Sequence, residues 1–193
     1  MHAQGPLVLD LPRWLTDRLR GDVVLPERSD RMRLAIELAR ENVRQGTGGP
    51  FGAVVVDVAS GRLLGAGVNR VVPLGFSCAH AEVMALGMAQ LSAGTYDLGA
   101  PGQPDAELVT SVEPCVMCIG AALWSGVRSV VCGASEANAI AIGFDEGPKP
   151  ADWAGELGAR GIAVVCGVLG DEAAAVLTDY AASGGPIYNA GRP

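Results

Sequence analysis

Two short stretches hold side chains that could do chemistry together. One is His80-Ala81-Glu82; the other is Pro114-Cys115-Val116-Met117-Cys118. An imidazole and two thiolates suit Zn²⁺, which takes four protein ligands where it is structural and three plus a water where it is catalytic. The natural count here is three. His2, the only other histidine, lies at the terminus, and Cys78, two residues before His80, is expected to point away from it. Three ligands and one nearby carboxylate, Glu82, describe a hydrolytic site in which Glu82 carries protons. Each pair alone is a weak signal, and Cys-x-x-Cys also serves redox chemistry by lowering thiol pKa. The redox reading leaves His80-Ala81-Glu82 unexplained, so catalytic zinc is preferred. A non-catalytic, zinc-stabilised module is the alternative from a different class.

Such residues need elements to hold them. Residues 80–91 read as a helix, with His80 and Glu82 in its first turn. Pro114 opens a second helix over 115–124 in the first-turn position that proline prefers. Cys115 and Cys118, at i and i+3, then share one face. Two helix N-termini converge on the metal, and their partial positive charge favours thiolate and an anionic oxygen. β-Branched runs predict strands at 51–57 and 62–71, joined as an antiparallel hairpin through Ala59-Ser60-Gly61. Shorter strands are expected at 107–110, 127–132 and 162–166. Met32, Ala35, Ile36, Ala39 and Val43 recur at helical spacing over 29–45, and 171–182 reads as an Ala-rich helix. Asp10-Leu11-Pro12 looks like the start of a helix ending near Arg20. Asn69 near the end of the second strand has a turn-cap reading. The long connection 134–150 is expected to be functional, and Ile187-Tyr188 predicts that the tail docks. Cys132 and Cys166 are expected to be core thiols. The alternation implies an α/β fold with about five strands between helices, as one domain over 28–193 after an N-terminal extension, 1–27.

Composition narrows the partners. The 193 residues are 49% hydrophobic and carry a net charge of -7. The first 44 residues hold eight Arg and seven acids, and the remainder holds six basic and 14 acidic residues. The half with the chemistry is therefore acidic, which argues against a nucleic-acid partner and for a small neutral substrate. No apolar run approaches the length of a membrane span, and the N-terminus does not read as a secretory signal. Five cysteines, two of them in the Cys-x-x-Cys pair, fit a reducing, cytoplasmic setting.

At these residues the chain resembles the cytidine/deoxycytidylate deaminase superfamily, whose zinc signature is H-x-E followed by P-C-x-x-C. Within it the nearer resemblance is to the bacterial guanine deaminases, through Gly49-Pro50-Phe51-Gly52-Ala53-Val54, Asn69, Ser111 to Cys118, Trp124, Ile142-Gly143-Phe144-Asp145-Glu146 and Ile187-Tyr188-Asn189. The resemblance implies a three-layer α/β/α sandwich with a mixed sheet, cytidine deaminase-like. It implies Zn²⁺ on His80, Cys115 and Cys118, with Glu82 as proton carrier. It places Phe51, Asn69, Ala81, Trp124 and Tyr188 around the base, with Glu146, or less readily Asp145, as a second carboxylate on the exocyclic amine. It further implies a homodimer with exchanged C-terminal segments, so that Tyr188 could complete a neighbour's site. Outside the resemblance, Trp124 reads as helix-face core and Glu146 as a solvated loop charge. The implied reaction is deamination of a free nucleobase, guanine to xanthine; cytosine, a triazine such as ammeline, or a pterin-like ring stays open as the substrate.

Overall fold

The computed structural model describes residues 7–189; His2, the start of the extension (1–6) and the end of the tail (190–193) lie outside the described residues. Five strands form one sheet: β1 (Gly52–Asp57), β2 (Leu63–Val68), β3 (Ala106–Val112), β4 (Ser129–Ala134) and β5 (Ala163–Val165), in the order β2-β1-β3-β4-β5. β1 runs antiparallel to β2 and β3, whereas β4 runs parallel to β3 and β5. The sheet is therefore mixed, as expected.

Helices cover both faces. α1 (Arg13–Arg18), α2 (Arg28–Arg44), α6 (Glu136–Ala141) and α8 (Gly170–Ala182) contribute to one apolar cluster; α4 (Ala81–Ala93), α5 (Val116–Ser125) and α7 (Trp153–Gly158) contribute to the other. Strand alternation divides the core: Val54 and Val56 join the first cluster, Ala53 and Val55 the second. Because both faces are covered, these strands read as continuous apolar runs instead of alternating ones. This is a three-layer α/β/α sandwich.

Some boundaries differ from expectation. Pro12, not Asp10, is the N-cap of α1, which ends at Arg18. Leu15 of α1 is fully buried in the α2 face, so this part of the extension packs as part of the domain. β2 stops at Val68, and Val71–Leu74 forms one helical turn, α3. The connection 134–150 contains α6, fixed by a capping box between Ser135 and Asn138. Cys132 is buried as expected, but Cys166 is exposed, since β5 ends at Val165 and lies at the sheet edge.

The site depends on how closely α4 lies on the sheet. A Cβ at Gly67 of β2 would fall inside the contact distance of Ala81 O and Ala85 N at the start of α4. The missing side chain lets the first turn of α4 rest backbone to backbone on β2. Gly67→Val should therefore cost about 1–3 kcal/mol of stability by overpacking, measured by denaturant unfolding, even though valine suits a strand. Unchanged stability would mean that α4 shifts freely on the sheet.

Candidate active site

His80 is the N-cap of α4 and Cys115 the N-cap of α5, each with extended backbone angles. The two ligands thus sit one position outside the helices in which the sequence placed them, and Pro114 precedes the cap instead of occupying the first turn. Cys118 follows one turn later, buried inside α5. His80 Nδ1 stands 3.5 Å from Cys115 Sγ and 3.6 Å from Cys118 Sγ. All three donor atoms lie within 4.8 Å of one another. Tetrahedral zinc with ordinary Zn–N and Zn–S bonds sets its nitrogen and sulfur ligands about 3.5 Å apart. The donor set therefore fits zinc in both chemistry and spacing. Cys78 is not part of this group, which leaves a three-ligand site.

Glu82 lies in the first turn of α4 and is 6% exposed. Thr110 at the end of β3 donates to its Oε1 at 3.2 Å. Burial, reinforced by the Cys115 charge, raises its pKa. Cys115 is lowered to about 4, chiefly by the hydrogen bond from Cys118 and then by His80, while Cys118 is raised. His80 is raised despite its burial, by its hydrogen bond with Cys115 and the charge there.

The second carboxylate comes from the loop after α6. Val116 N, the first unpaired amide of α5, donates to Glu146 O at 3.1 Å. That bond draws the loop over the metal turn. Glu146 is 8% exposed, and burial first, then the charges of Cys115 and Glu82, raise it to about 8. It is not the solvated loop charge of the alternative reading. Asp145 is beside it, its carboxylate accepting from Gly147 N at 2.9 Å. Below them Lys149, the chain's only lysine, pairs with Glu113 at 3.3 Å and Glu136 at 3.2 Å.

A cavity of about 350 Å³ opens over these groups; Phe51, Asn69, Ala81, Asp145, Glu146 and Tyr188 all line it, with His80, Glu82 and Cys115 at its base. Asn69 Oδ1 caps Val71 N at 3.2 Å, and the residue also lines the cavity. Tyr188 packs edge-on against Phe144, with ring centroids 5.1 Å apart, and Phe144 against Phe51 at 5.0 Å. The Tyr188 hydroxyl is buried beside the Asn69 side chain without reaching hydrogen-bonding geometry with any described residue. The tail docks, as its apolar pair suggested, but in its own chain's cavity. The backbone reverses at Gly184 (φ 72°), and Tyr180 Oη holds Pro186 O at 2.6 Å.

Trp124 is the correction. It is 81% exposed on α5 and does not line the cavity. It is not helix-face core either, because α5 buries Cys118, Ala122 and Ser125 on its inner side. Phe144 and Thr110 were not singled out for the site, although Phe144 lies inside the quoted Gly-Phe-Asp-Glu segment. Thr110 gave no signal, as its role is set by a partner 28 residues away.

Comparison with known proteins agrees with this geometry. Residues 26–134 match the family described as the cytidine and deoxycytidylate deaminase zinc-binding region. A guanine deaminase of Bacillus subtilis is 40% identical over 115 residues, 60% of this chain and 69% of that protein. A solved structure of a guanine deaminase from Nitrosomonas europaea superposes with a TM-score of 0.89 at 50% identity, covering 92% of this chain and 97% of the other. A structure of the protein NE0047 in complex with 2,6-diaminopurine gives 0.89 at 51% identity, covering 95% and 97%.

The two buried acids make a measurable demand on stability. A carboxyl whose folded pKa exceeds its unfolded value stabilises fully below the unfolded value and loses that contribution as pH rises through the folded one. For Glu146 that window runs from 4.5 to about 8. Metal-free protein under reducing conditions should lose stability across it in thermal unfolding, and Glu146→Gln should flatten the slope. Parallel profiles would put the Glu146 carboxylate in water.

Proposed function

The chain belongs to the cytidine and deoxycytidylate deaminase family and is a hydrolytic deaminase with a zinc site; from that premise we propose that it converts guanine and water to xanthine and ammonia. One observation carries this reading: two buried carboxyls, Glu82 and Glu146, line one cavity with the His80–Cys115–Cys118 triad beneath and aromatic rings beside it. The similarity to guanine deaminases over nearly the whole chain supports the choice of base.

His80, Cys115 and Cys118 would hold the zinc, which would supply Lewis-acid activation of water. Glu82, at the base of the cavity, accepts a proton from the attacking water and delivers it to the ring nitrogen next to the amine-bearing carbon. Burial keeps its proton affinity high, so that it can hold and return the proton. Asn69 hydrogen-bonds the purine edge. Phe51 and Tyr188, with Phe144 between them, flank the flat ring. Glu146 receives the exocyclic amine and helps protonate it as it leaves. Asp145 is the lesser candidate for that role, because its carboxylate caps Gly147.

In this reading residues 28–193 carry the deaminase chemistry, and α1 of the preceding extension packs into the same core. The protein works in the cytoplasm, where its five unpaired thiols stay reduced. It forms a homodimer through the outward side of α5, where Trp124 stands exposed. Trp124→Asp should convert a dimer in sedimentation velocity to a monomer; an unchanged sedimentation coefficient would remove α5 from the interface.

The decisive assay measures ammonia release from guanine, adenine, cytosine, cytidine, guanosine and ammeline. Guanine should be turned over fastest; faster release from another ring would reassign the substrate. Glu82→Ala should keep its zinc and lose turnover by about a thousandfold or more, as removal of a proton carrier does. Turnover retained in this variant would sink the assigned role.

A further inference from the structure

Two loops, 47–51 and 69–71, leave the open end of the β1–β2 hairpin; Asn69 lies in the second, and Tyr188 of the tail rests on Gly49 of the first. Asn69 N donates to Phe51 O at 3.1 Å and Arg70 Nη1 to Thr47 O, and one buried side chain adds a further link between them. Asn42 of α2, 0% exposed, donates from Nδ2 to Gly49 O and to Asn69 O, each at 2.9 Å. Two carbonyl acceptors on one side leave its Oδ1 to face Thr47, whose hydroxyl donates to it at 2.8 Å. With its proton spent there, Thr47 Oγ1 accepts from Trp14 Nε1 at 2.9 Å. The donors run one way, from Trp14 through Thr47 to Asn42, and the amide ends on the two loops. Trp14 belongs to α1, which precedes the residues matched by the family.

The joined loops touch the cavity directly. A Cβ at Gly48 would collide with Asn69 O, and one at Gly49 would collide with the Tyr188 hydroxyl. Gly49 is thus the floor under Tyr188, and the Asn69 backbone lies against Gly48. A shift of the Asn42 amide moves both residues relative to the metal triad, which hangs on other elements, α4 and α5.

We propose that Asn42 is a positioning residue for base recognition, oriented by Thr47, and that α1 joins the substrate site through Trp14. This rests on the reading that Asn69 and Tyr188 contact the base. The relay sets how well the base is held, not how fast the bound base reacts, because Glu82 and the triad take no hydrogen bond from it.

Thr47→Val keeps the shape and removes the hydroxyl; Thr47→Ser keeps the hydroxyl; Trp14→Phe removes only the indole N–H. Steady-state kinetics on guanine, zinc content and backbone hydrogen exchange are read for each. Thr47→Val should raise KM about tenfold with kcat within about twofold, the signature of lost uniform binding, at unchanged zinc content. Trp14→Phe should raise KM in the same direction by a smaller factor, and Thr47→Ser should restore the wild-type value. The amides of Asn69 and Val71 should exchange faster in Thr47→Val while those of β4 do not. An unchanged KM, a fall in kcat alone, or equal effects of valine and serine would overturn the proposal. If the wild-type protein releases no ammonia from guanine, the substrate reading falls, and the exchange comparison alone decides the role of Asn42.

Discussion

Three donor atoms must stand about 3.5 Å apart around a gap the size of a dication, and everything else in this molecule serves that spacing. Two of the three, His80 and Cys115, are helix caps. A cap residue belongs to a chain leaving a strand or loop and entering a helix, so its position is fixed from both sides. α4 is pressed onto β2 through Gly67, and α5 starts directly after β3. The mixed sheet brings these starts together because β1 carries β2 on one side and β3 on the other.

The same convergence has an energetic consequence. Glu82 and Glu146 are withdrawn from water with few partners, and both are raised in pKa by that withdrawal. Elsewhere the fold treats a buried carboxylate differently. Glu107, deep in β3, receives Arg31 at 2.9 Å and Ser129 at 3.0 Å, and its charge is matched where it lies. The contrast separates a carboxylate that anchors α2 to the sheet from two that line the cavity.

Much of this was legible in the sequence, for a physical reason. Ligand spacing and strand composition are local, so His80, Glu82, Cys115, Cys118, the five strands and the β1–β2 hairpin could be read from neighbours along the chain. Tyr188 announced that the tail docks, because two large apolar residues in a polar end need cover. Where it docks depends on Gly184 and Tyr180 acting together, which no local pattern states. Trp124 was misplaced because the apolar sequence of α5 does not say which side faces inward. Cys166 was misplaced because a three-residue edge strand leaves its last residues uncovered. Asn42 and Thr110 stayed silent, since a single polar residue in an apolar element gains meaning only from partners far away in the chain.

The bond from Val116 N to Glu146 O uses no side chain. Any residue but proline at 116 can donate it, and any residue at 146 can accept it. The loop that lines the cavity is thereby moored to the metal turn by a main-chain bond, beside the Lys149–Glu113 pair. Mutation can rewrite the side chains of that loop, generation after generation, without unfastening it. Inheritance of the hydrolytic step is separated from drift in the choice of ring, and one backbone link can keep a lineage chemically competent while its preferred base changes.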